Sequence, residues 1–523
     1  MKKIYIIIAA VSLFFGMAQC KKTEQIIPEG ADNTVNIMLA ATMGGSRLDV
    51  NTETGAVKFT EGDVIYVVSS GKYVGTLTNV GQIFTGSITN PTVGQPLYFY
   101  FFGNATPVTP TGTFIVGNTS SCTVVISDQS GKLPVISYAR SKDNYSSEMS
   151  YYTAHLENQC ALVKFDVRNA SPNSNTCITG FNNKVTVNFA AATVTPSRSG
   201  EGVINLGPGN GDKWAILLPQ DALIGGEAFS SDGAYVGSYG EVPPITNNDF
   251  WENPIEVDVN IDNGGKLRGK FKVNSSGKQV RFSKGNLQYI GSASPAYWKF
   301  AEEQYEFLGD NGQGSAATNV DRDLFGRGTS GYEGMEPYMV IDNSTSYIYD
   351  QNINNTNYDW GVYNAIKNGG NTAGMWRTAT GDEFEYIFKY RGGIKYSQVI
   401  VNGIYGVVLL PDGWDRSIYH FLKIDGYTSL LSNPLTEVTV ITRDEWKNIL
   451  EVNGAVFLPA AGRRVGTTVK ADFRYGHYWH STVNASNTPL RYYYYFNNWI
   501  WPNTGASNAS QNGFSVRLVT DVE

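Results

Sequence analysis

One segment restricts the fold of this 523-residue chain more than any other, because its apolar and polar residues alternate with a period of two. Between Ala161 and Arg168, the residues Ala, Val, Phe and Val alternate with Leu, Lys, Asp and Arg. Successive side chains of a β-strand point to opposite faces, so the pattern predicts a strand in a sheet packed on one side. Similar β-type runs occur at Val64–Val68, Tyr73–Leu77 and Leu97–Phe102. We therefore expect a mostly β chain built from sandwiches.

The composition agrees with this fold class. The chain has 56 Gly, 25 Phe, 10 Trp and 32 Tyr residues, and only 17% of its residues are charged. Such usage favours strands separated by turns over long helices. At about 150 residues per domain, the length predicts three or four domains. Because the net charge is −7 and phosphate backbones bind cationic surfaces, we expect no nucleic-acid partner.

The N-terminal region has the layout of a lipoprotein signal. Two lysines precede an apolar run, Ile4–Phe15, that is too short to span a bilayer as a helix, and small residues separate it from Cys20. We expect residues 1–19 to be removed and the Cys20 thiol to carry the lipid, with residues 20–33 as a lipidated tether. Gln19 replaces the usual small residue, so an ordinary cleaved signal with a free cysteine is the alternative. The lipid would be the only membrane contact and would hold the chain at the outer membrane or cell surface.

Three further cysteines, Cys122, Cys160 and Cys177, stand in the remainder of the chain. In an oxidising compartment they allow at most one disulfide and leave one thiol over, and the sequence leaves the pairing open. Their spacing does not match a zinc site.

A spaced set of apolar residues and glycines extends through about residues 34–260. It comprises Phe59, Gly62, Asp63, Ile65, Phe84, Gly86, Leu97–Tyr100, the strand around Phe165 and Trp214–Pro219. Together these residues resemble the fimbrillin-like lipoproteins of Bacteroidetes. The resemblance implies two consecutive β-sandwich lobes, residues 34–168 and 169–264, and a role in fimbria assembly or adhesion. It also implies that other fimbrial subunits are partners, joined by adding a strand to an exposed sheet edge.

The later part of the chain, residues 265–523, carries two helix-start signals. Thr380 precedes Glu383 by three residues, and Thr442 precedes Glu445 by three, the spacing of a capping box. The helices predicted from them are Glu383–Tyr390 and Glu445–Leu450. Short helices among many strands predict an α+β domain.

A recognisable series of residues surrounds the first of these helices. The series is Gly374, Trp376, Arg377, Thr380, Glu383, Phe384, Tyr386 and Arg391–Gly393, with later matches at Gly454–Gly462, Gly476–Ser481 and Gly513–Leu518. It resembles the formylglycine-generating-enzyme-like proteins, a branch of the C-type-lectin-like fold, and especially the repeated major-paralogue domains of Fibrobacter and Bacteroidetes surface proteins. The resemblance implies that residues 265–523 form a C-type-lectin-like domain.

The catalytic and metal-binding residues of those families do not carry over. Formylglycine-generating enzymes hold copper with paired cysteines, and no cysteine follows Cys177. The Glu-Pro-Asn or Gln-Pro-Asp motif of calcium-dependent lectins is also missing from the sequence. His477 and His480 stand three apart in a predicted strand, so they would point to opposite faces rather than share a metal. We therefore expect neither an enzyme nor a metal or cofactor.

Two pairs of neighbouring carboxylates are candidates for a general acid and base. Glu302 with Glu303, and Asp321 with Asp323, stand in polar loops or at segment ends. Because sequence spacing does not give the separation in space that such catalysis needs, solvated charges are the preferred interpretation.

The stretch Tyr492–Asn503 mixes aromatic rings with amides. Rings stack on the apolar faces of sugars and amides bind hydroxyls, so this mixture suits a shallow glycan or protein site. The candidate ligand-binding residues are Tyr493, Tyr495, Asn497, Asn498, Trp499 and Trp501. In the alternative interpretation, alternating tyrosines pack one face inward and Trp499 belongs to the core.

These features predict a cell-surface adhesin, a fimbria tip or accessory subunit whose C-terminal head binds a glycan or protein on a host or bacterial surface. Because the head follows the two lobes, no C-terminal tail of the lobes is free to donate a strand, which favours the tip. One alternative is a surface lipoprotein that captures glycans for nutrition outside any fimbria. Another is an enzyme of unknown type in the head.

Overall fold

The computed structural model describes residues 33–43, 59–131, 133–310, 313, 315, 317–339, 351–422, 424, 438–470, 474–483, 489–495, 499–501 and 512–522. This part of the chain is mostly β, which confirms the predicted fold class. Its helices are short and belong to the last domain. Within these ranges no helix is long and apolar enough to cross a membrane.

The first lobe is built around a barrel. Its strands are β1 (Thr34–Met43), β2 (Val64–Ser69), β3 (Lys72–Val80), β4 (Ile83–Thr89), β5 (Pro96–Phe101), β6 (Ser121–Val125), β7 (Ser137–Asn144) and β8 (Tyr151–Asn158). All except β6 close into the barrel, in the order β1-β4-β3-β2-β5-β7-β8. Strand β1 pairs antiparallel with β4 and parallel with β8, so the first and last strands of this lobe are neighbours. Ile65 and Phe99 are among the fully buried residues of its core.

The second lobe contains two sheets. Its strands are β9 (Ala161–Arg168), β10 (Asn175–Ile178), β11 (Lys184–Asn188), β12 (Thr193–Ser197), β13 (Ile204–Pro208), β14 (Gly211–Leu217), β15 (Gly226–Ser230), β16 (Tyr235–Tyr239) and β17 (Phe250–Asp262). Seven of them form one sheet in the order β13-β10-β15-β16-β17-β9-β14. The other two, β11 and β12, form a sheet with β6 in the order β12-β11-β6. The first lobe thus contributes one strand to a sheet of the second lobe.

The alternating segment is strand β9, as its pattern predicts. Val163 and Phe165 are fully buried, whereas Lys164 and Asp166 are partly exposed. The predicted first lobe, residues 34–168, nevertheless includes a strand that hydrogen-bonds to β14 and β17 of the second lobe. Alternation identifies the buried face of a strand but not its partners. Strand β9 therefore belongs to the seven-stranded sheet and not to the barrel.

Among the described residues, the third domain has five sheets. Its strands are β18 (Phe271–Lys272), β19 (Gln279–Phe282), β20 (Leu287–Ile290), β21 (Tyr297–Phe300), β22 (Arg377–Thr378), β23 (Tyr396–Val401), β24 (Ile404–Leu409), β25 (Thr439–Ile441), β26 (Val456–Pro459), β27 (Arg463–Val465), β28 (Thr468–Lys470), β29 (Tyr475–Val483), β30 (Pro489–Tyr495), β31 (Trp499–Trp501), β32 (Asn512–Gly513) and β33 (Leu518–Asp521). The described strands are ordered β18-β19-β33-β22, β20-β21, β25-β23-β24-β26, β28-β27-β32 and β29-β30-β31.

Both predicted helices are present and begin at the predicted capping boxes. The helices are α1 (Trp360–Tyr363), α2 (Gly381–Glu385) and α3 (Arg443–Glu445), with π-helical turns at Tyr386–Tyr390 and Trp446–Leu450 and a 3₁₀ turn at Tyr332–Gly334. The Thr380 hydroxyl accepts from the Glu383 N–H at 3.2 Å, and the Glu383 carboxylate accepts from the Thr380 N–H at 2.9 Å. Thr442 and Glu445 make the same two bonds at 3.2 and 2.7 Å. The C-type-lectin-like assignment of this domain stays a prediction.

The first and second lobes share one hydrophobic core, here called the apolar joint. On the side of the second lobe it consists of Leu162, Val185, Val187, Phe189, Ile216 and Leu218. The Phe189 ring centroid lies 5.2 Å from that of Tyr100 in the barrel strand β5. The backbone of Ile216 is also fixed, because the Gln129 side chain accepts from its N–H and donates to its carbonyl. Barrel and second lobe are therefore packed as one body.

The third domain meets the second lobe through charged groups, here called the polar joint. Its ion pairs are Arg268–Glu201 at 2.5 Å, Arg268–Glu227 at 2.9 Å, Lys184–Asp415 at 2.7 Å and Lys284–Asp232 at 3.5 Å. A small apolar cluster lies beside them, formed by Cys177, Val203, Phe229 and Val452. The connecting residues Gly264 and Gly265 have φ of +66° and +69°, and a Cβ on Gly265 would lie 2.8 Å from the Asn368 carbonyl oxygen. Only glycine fits this link without strain.

Candidate functional site

Four of the six candidate ligand-binding residues lie at paired positions of the sheet β29-β30-β31. The backbone register sets Tyr493 opposite Trp501, and Tyr495 opposite Trp499. Positions two apart in a strand share a face, so the register places these four aromatic positions on one face of the sheet. Asn497 and Asn498, the other two candidates, lie outside the described residues, and so does Cys20.

Strand β29 shows what lies beside this face. The register pairs His477 of β29 with Tyr493, and the His477 ring stacks on Phe514 at 4.9 Å. Trp479, on the same side of β29, lies 4.5 Å from Phe514. At β29 this face of the sheet is buried, since His477 and Trp479 are both buried. The same face continues over β30 and ends at β31, the outermost described strand of the sheet. For Tyr493, Tyr495, Trp499 and Trp501 the binding site stays a prediction, with core packing as the alternative.

The two histidines of β29 point to different sides, in agreement with the predicted strand. His480 stacks on Phe384 of α2, with ring centroids 5.1 Å apart, whereas His477 contacts Phe514. Burial, followed by the charge of Arg327, lowers the pKa of His480 to about 3. His480 is therefore neutral at physiological pH. Among the described residues, no group of three or more His, Cys, Asp or Glu side chains is arranged to hold a metal ion.

Glu302 is exposed, as the sequence predicts for these carboxylates, but Asp323 is not solvated. Asp323 is buried and accepts from the Leu308 N–H at 2.6 Å and from the Gln313 side chain at 3.0 Å. Burial raises its pKa to about 6, although these hydrogen bonds act in the opposite direction. Glu303 is an ion-pair partner of Lys447 at 2.6 Å. Asp323 and Glu303 are thus structural groups, because their oxygens are already occupied by the protein.

The three cysteines that the structure describes, Cys122, Cys160 and Cys177, are free and buried. Burial raises the pKa of the Cys122 and Cys160 thiols to about 12. Thiols with so high a pKa are unreactive at neutral pH, which leaves them as small apolar groups of the core.

Two cavities lie at the polar joint, and sequence reasoning did not find them. One, of about 120 Å³, is lined by residues that include Arg268, Asp412 and Trp414. It is smaller than the ~300 Å³ at which ligand pockets commonly start. The other, of about 390 Å³, lies between Tyr235 of the second lobe and Tyr297 of the third domain. We call it the joint cavity.

No protein family model and no curated protein sequence matches this chain. Solved structures give distant likenesses. A protein of Bacteroides uniformis with a provisional cell-adhesion name has a TM-score of 0.27 at 10% identity, over 45% of this chain and 99% of its own. A fimbrial assembly protein of Parabacteroides distasonis has 0.23 at 11%, over 48% and 97%. The fimbrial anchor protein Mfa2 of Porphyromonas gingivalis has 0.20 at 12%, over 39% and 78%. Likenesses at such scores assign neither fold nor function to this chain.

Proposed function

We propose that this chain is a cell-surface adhesin whose third domain binds an extracellular glycan or protein through the aromatic face of β30 and β31. The observation that carries the proposal is the register, which sets Tyr493 opposite Trp501 and Tyr495 opposite Trp499. Four aromatic positions on one face of an outer strand pair suit the flat apolar side of a sugar ring or a protein surface.

The rest of the molecule suits a stem. The apolar joint holds the barrel and the second lobe as one body, and Cys20 would anchor that body to the outer membrane through its lipid. A closed barrel has no free edge, so an added strand from another fimbrial subunit would pair more readily with β12, which ends its three-stranded sheet among the described strands. In such an assembly the third domain would be the binding head, and the protein would serve as a fimbria tip or accessory subunit rather than as an enzyme.

The binding test uses the full mature chain on arrays of glycans and matrix proteins. Trp501→Ala should weaken binding about tenfold or more, because stacked aromatic contacts carry much of the energy of such sites. The matched control is Tyr494→Ala, which lies in the same strand at a position of the opposite face and should leave binding unchanged. Equal binding by wild type and Trp501→Ala, or a large fall in melting temperature for Trp501→Ala, would favour the core-packing interpretation.

Position and anchoring need a cellular test. Antibody against residues 265–523 should label fibre ends, whereas labelling along shafts would exclude a tip and labelling without fibres would favour nutrient capture. A fatty-acid analogue should label the wild type and not Cys20→Ala. Equal labelling of both would exclude the lipid anchor.

A further inference from the structure

The joint cavity is formed by three segments that are distant in sequence. The second lobe contributes Ala234, Tyr235 and the strand end Asp262, the connecting segment contributes Gly265, and the third domain supplies the remaining wall. The volume of about 390 Å³ falls within the range of small-ligand sites, which occur preferentially between domains. The cavity therefore exists only while the polar joint is assembled.

Two of the three lysines around the cavity, Lys284 and Lys299, form ion pairs. Glu302 pairs with Lys284 at 3.1 Å and with Lys299 at 3.1 Å, and Asp232 approaches Lys284 at 3.5 Å. Burial raises the pKa of Glu302, but the two lysines outweigh it and lower that pKa. Glu302 is thus ionised and shared between Lys284 and Lys299.

Lys367 lacks such an ion pair in the part of the chain that the structure describes. Its ammonium lies 4.5 Å from the centroid of the Tyr297 ring, and no carboxylate of the described residues forms an ion pair with it. The segment that carries Lys367 is held in place, because the Lys367 N–H donates to the Trp298 carbonyl at 2.9 Å. The next side chain, Asn368, accepts from the Phe300 N–H at 2.7 Å and donates to the Phe300 carbonyl at 3.0 Å. The Lys367 side chain, which no described carboxylate neutralises, therefore extends from a backbone segment that is held in place.

Two aromatic side chains line the cavity. Tyr235 is 40% exposed, and Tyr297 is half-buried beneath the Lys367 ammonium. Tyrosine rings stack on the apolar faces of sugars, and the surrounding ammonium and carboxylate groups can bind hydroxyls. A free ammonium beside them selects a ligand that also carries a negative charge.

We propose that the joint cavity binds a carboxylated saccharide, of the hexuronic or sialic acid class, with its carboxylate on Lys367 and its ring against Tyr235 and Tyr297. This site is separate from the aromatic face of β30 and β31, and the proposal goes beyond the adhesin function. The second lobe and the third domain both supply walls of the cavity, so the ligand would also hold these two parts together.

The test titrates the full mature chain with glucuronate, N-acetylneuraminate, glucose and N-acetylglucosamine, followed by calorimetry or ligand-observed NMR. We expect one or both acids to bind at least about tenfold more tightly than the neutral sugars, since a charge-assisted hydrogen bond corresponds to about that factor. The two acids tell the two classes apart. Equal binding of acids and neutral sugars, or binding of none of the four, would overturn the proposal.

Three variants locate the site. Lys367→Met should reduce binding of the acid about tenfold, Lys367→Arg should retain most of it, and the exposed Lys272→Met serves as the matched control. Trp501→Ala should leave this binding unchanged. If Lys367→Met binds as the wild type does, or if Trp501→Ala abolishes binding, the saccharide site is not the joint cavity. The Trp501 result thus separates this proposal from the proposed adhesin function.

Discussion

The apolar joint and the polar joint hold neighbouring parts of the same chain by different means. At the apolar joint, side chains such as Leu162 and Ile216 are removed from water and belong to the same core as the barrel. At the polar joint, the side chains of Glu201 and Glu227 remain 53% and 45% exposed while they pair with Arg268. Ion pairs that stay in contact with water contribute little, commonly ~0 to 1 kcal/mol each. The barrel and second lobe should therefore unfold together, and the third domain should be the part that can separate.

The largest expected effect is at the apolar joint. Ile216→Ala should lower the free energy of unfolding by ~2 to 5 kcal/mol, because Ile216 is fully buried and its truncation leaves a cavity. Urea unfolding followed by circular dichroism measures the loss. Ile224→Ala is the matched control, since Ile224 is 99% exposed and its replacement should change stability by less than about 0.5 kcal/mol. Similar small losses for both variants would contradict a shared core.

A smaller effect is expected at the polar joint. Arg268→Met removes both carboxylate contacts and the guanidinium that lies 4.3 Å from the centroid of the Phe229 ring, and should cost about 1 kcal/mol at low salt. In 1 M NaCl the Debye length falls to about 3 Å, so the difference from wild type should shrink. Unfolding curves at both salt concentrations give the comparison, with Lys272→Met as control. A difference that salt leaves unchanged would show that packing, rather than charge, holds this joint.

The smallest effect concerns pH. Burial raises the pKa of Asp415, but hydrogen bonds from Lys184 and Ser417 outweigh it and lower the pKa from 3.8 to about 2. A carboxyl whose pKa is lowered by folding stabilises the folded state above its ordinary pKa, and this contribution is lost as the pH falls through the folded value. Asp415→Asn should thus be less stable than wild type at pH 5, by under about 1 kcal/mol, and the difference should vanish towards pH 2. Unfolding midpoints across this range test it; a constant difference would contradict the ion pair.

Local signals were readable from the sequence and long-range pairing was not. The capping boxes at Thr380 and Thr442 depend on residues three apart, so both helices were predicted correctly. The strand β9 was also predicted, but its neighbour β17 begins at Phe250, more than eighty residues later, and no pattern in β9 names that partner. Register and sheet membership depend on packing across the whole lobe.

The burial of polar residues was also not predictable from the sequence. Asp323 stands in a polar stretch that resembles a solvated loop, yet it is buried because Gln313 and the Leu308 backbone supply its hydrogen bonds. The joint cavity was equally invisible, since Tyr235, Lys367 and Tyr297 belong to three segments that meet only in the folded chain. The aromatic stretch is visible in the sequence itself, and the strand register shows which of its positions are paired.

The parallel pairing of β1 with β8 decides how this molecule would respond to mechanical load. The chain enters the barrel at Thr34, the start of β1, and leaves it after Asn158, the end of β8. Because the two strands run in the same direction, these points lie at opposite ends of the pair. Tension between them would slide β1 along β8 and strain the six register pairs from Met38–Tyr151 to Met43–Leu156 together, instead of opening them one after another. In a protein held at its N-terminal end and pulled from the other, the load on the barrel would therefore act as shear between β1 and β8.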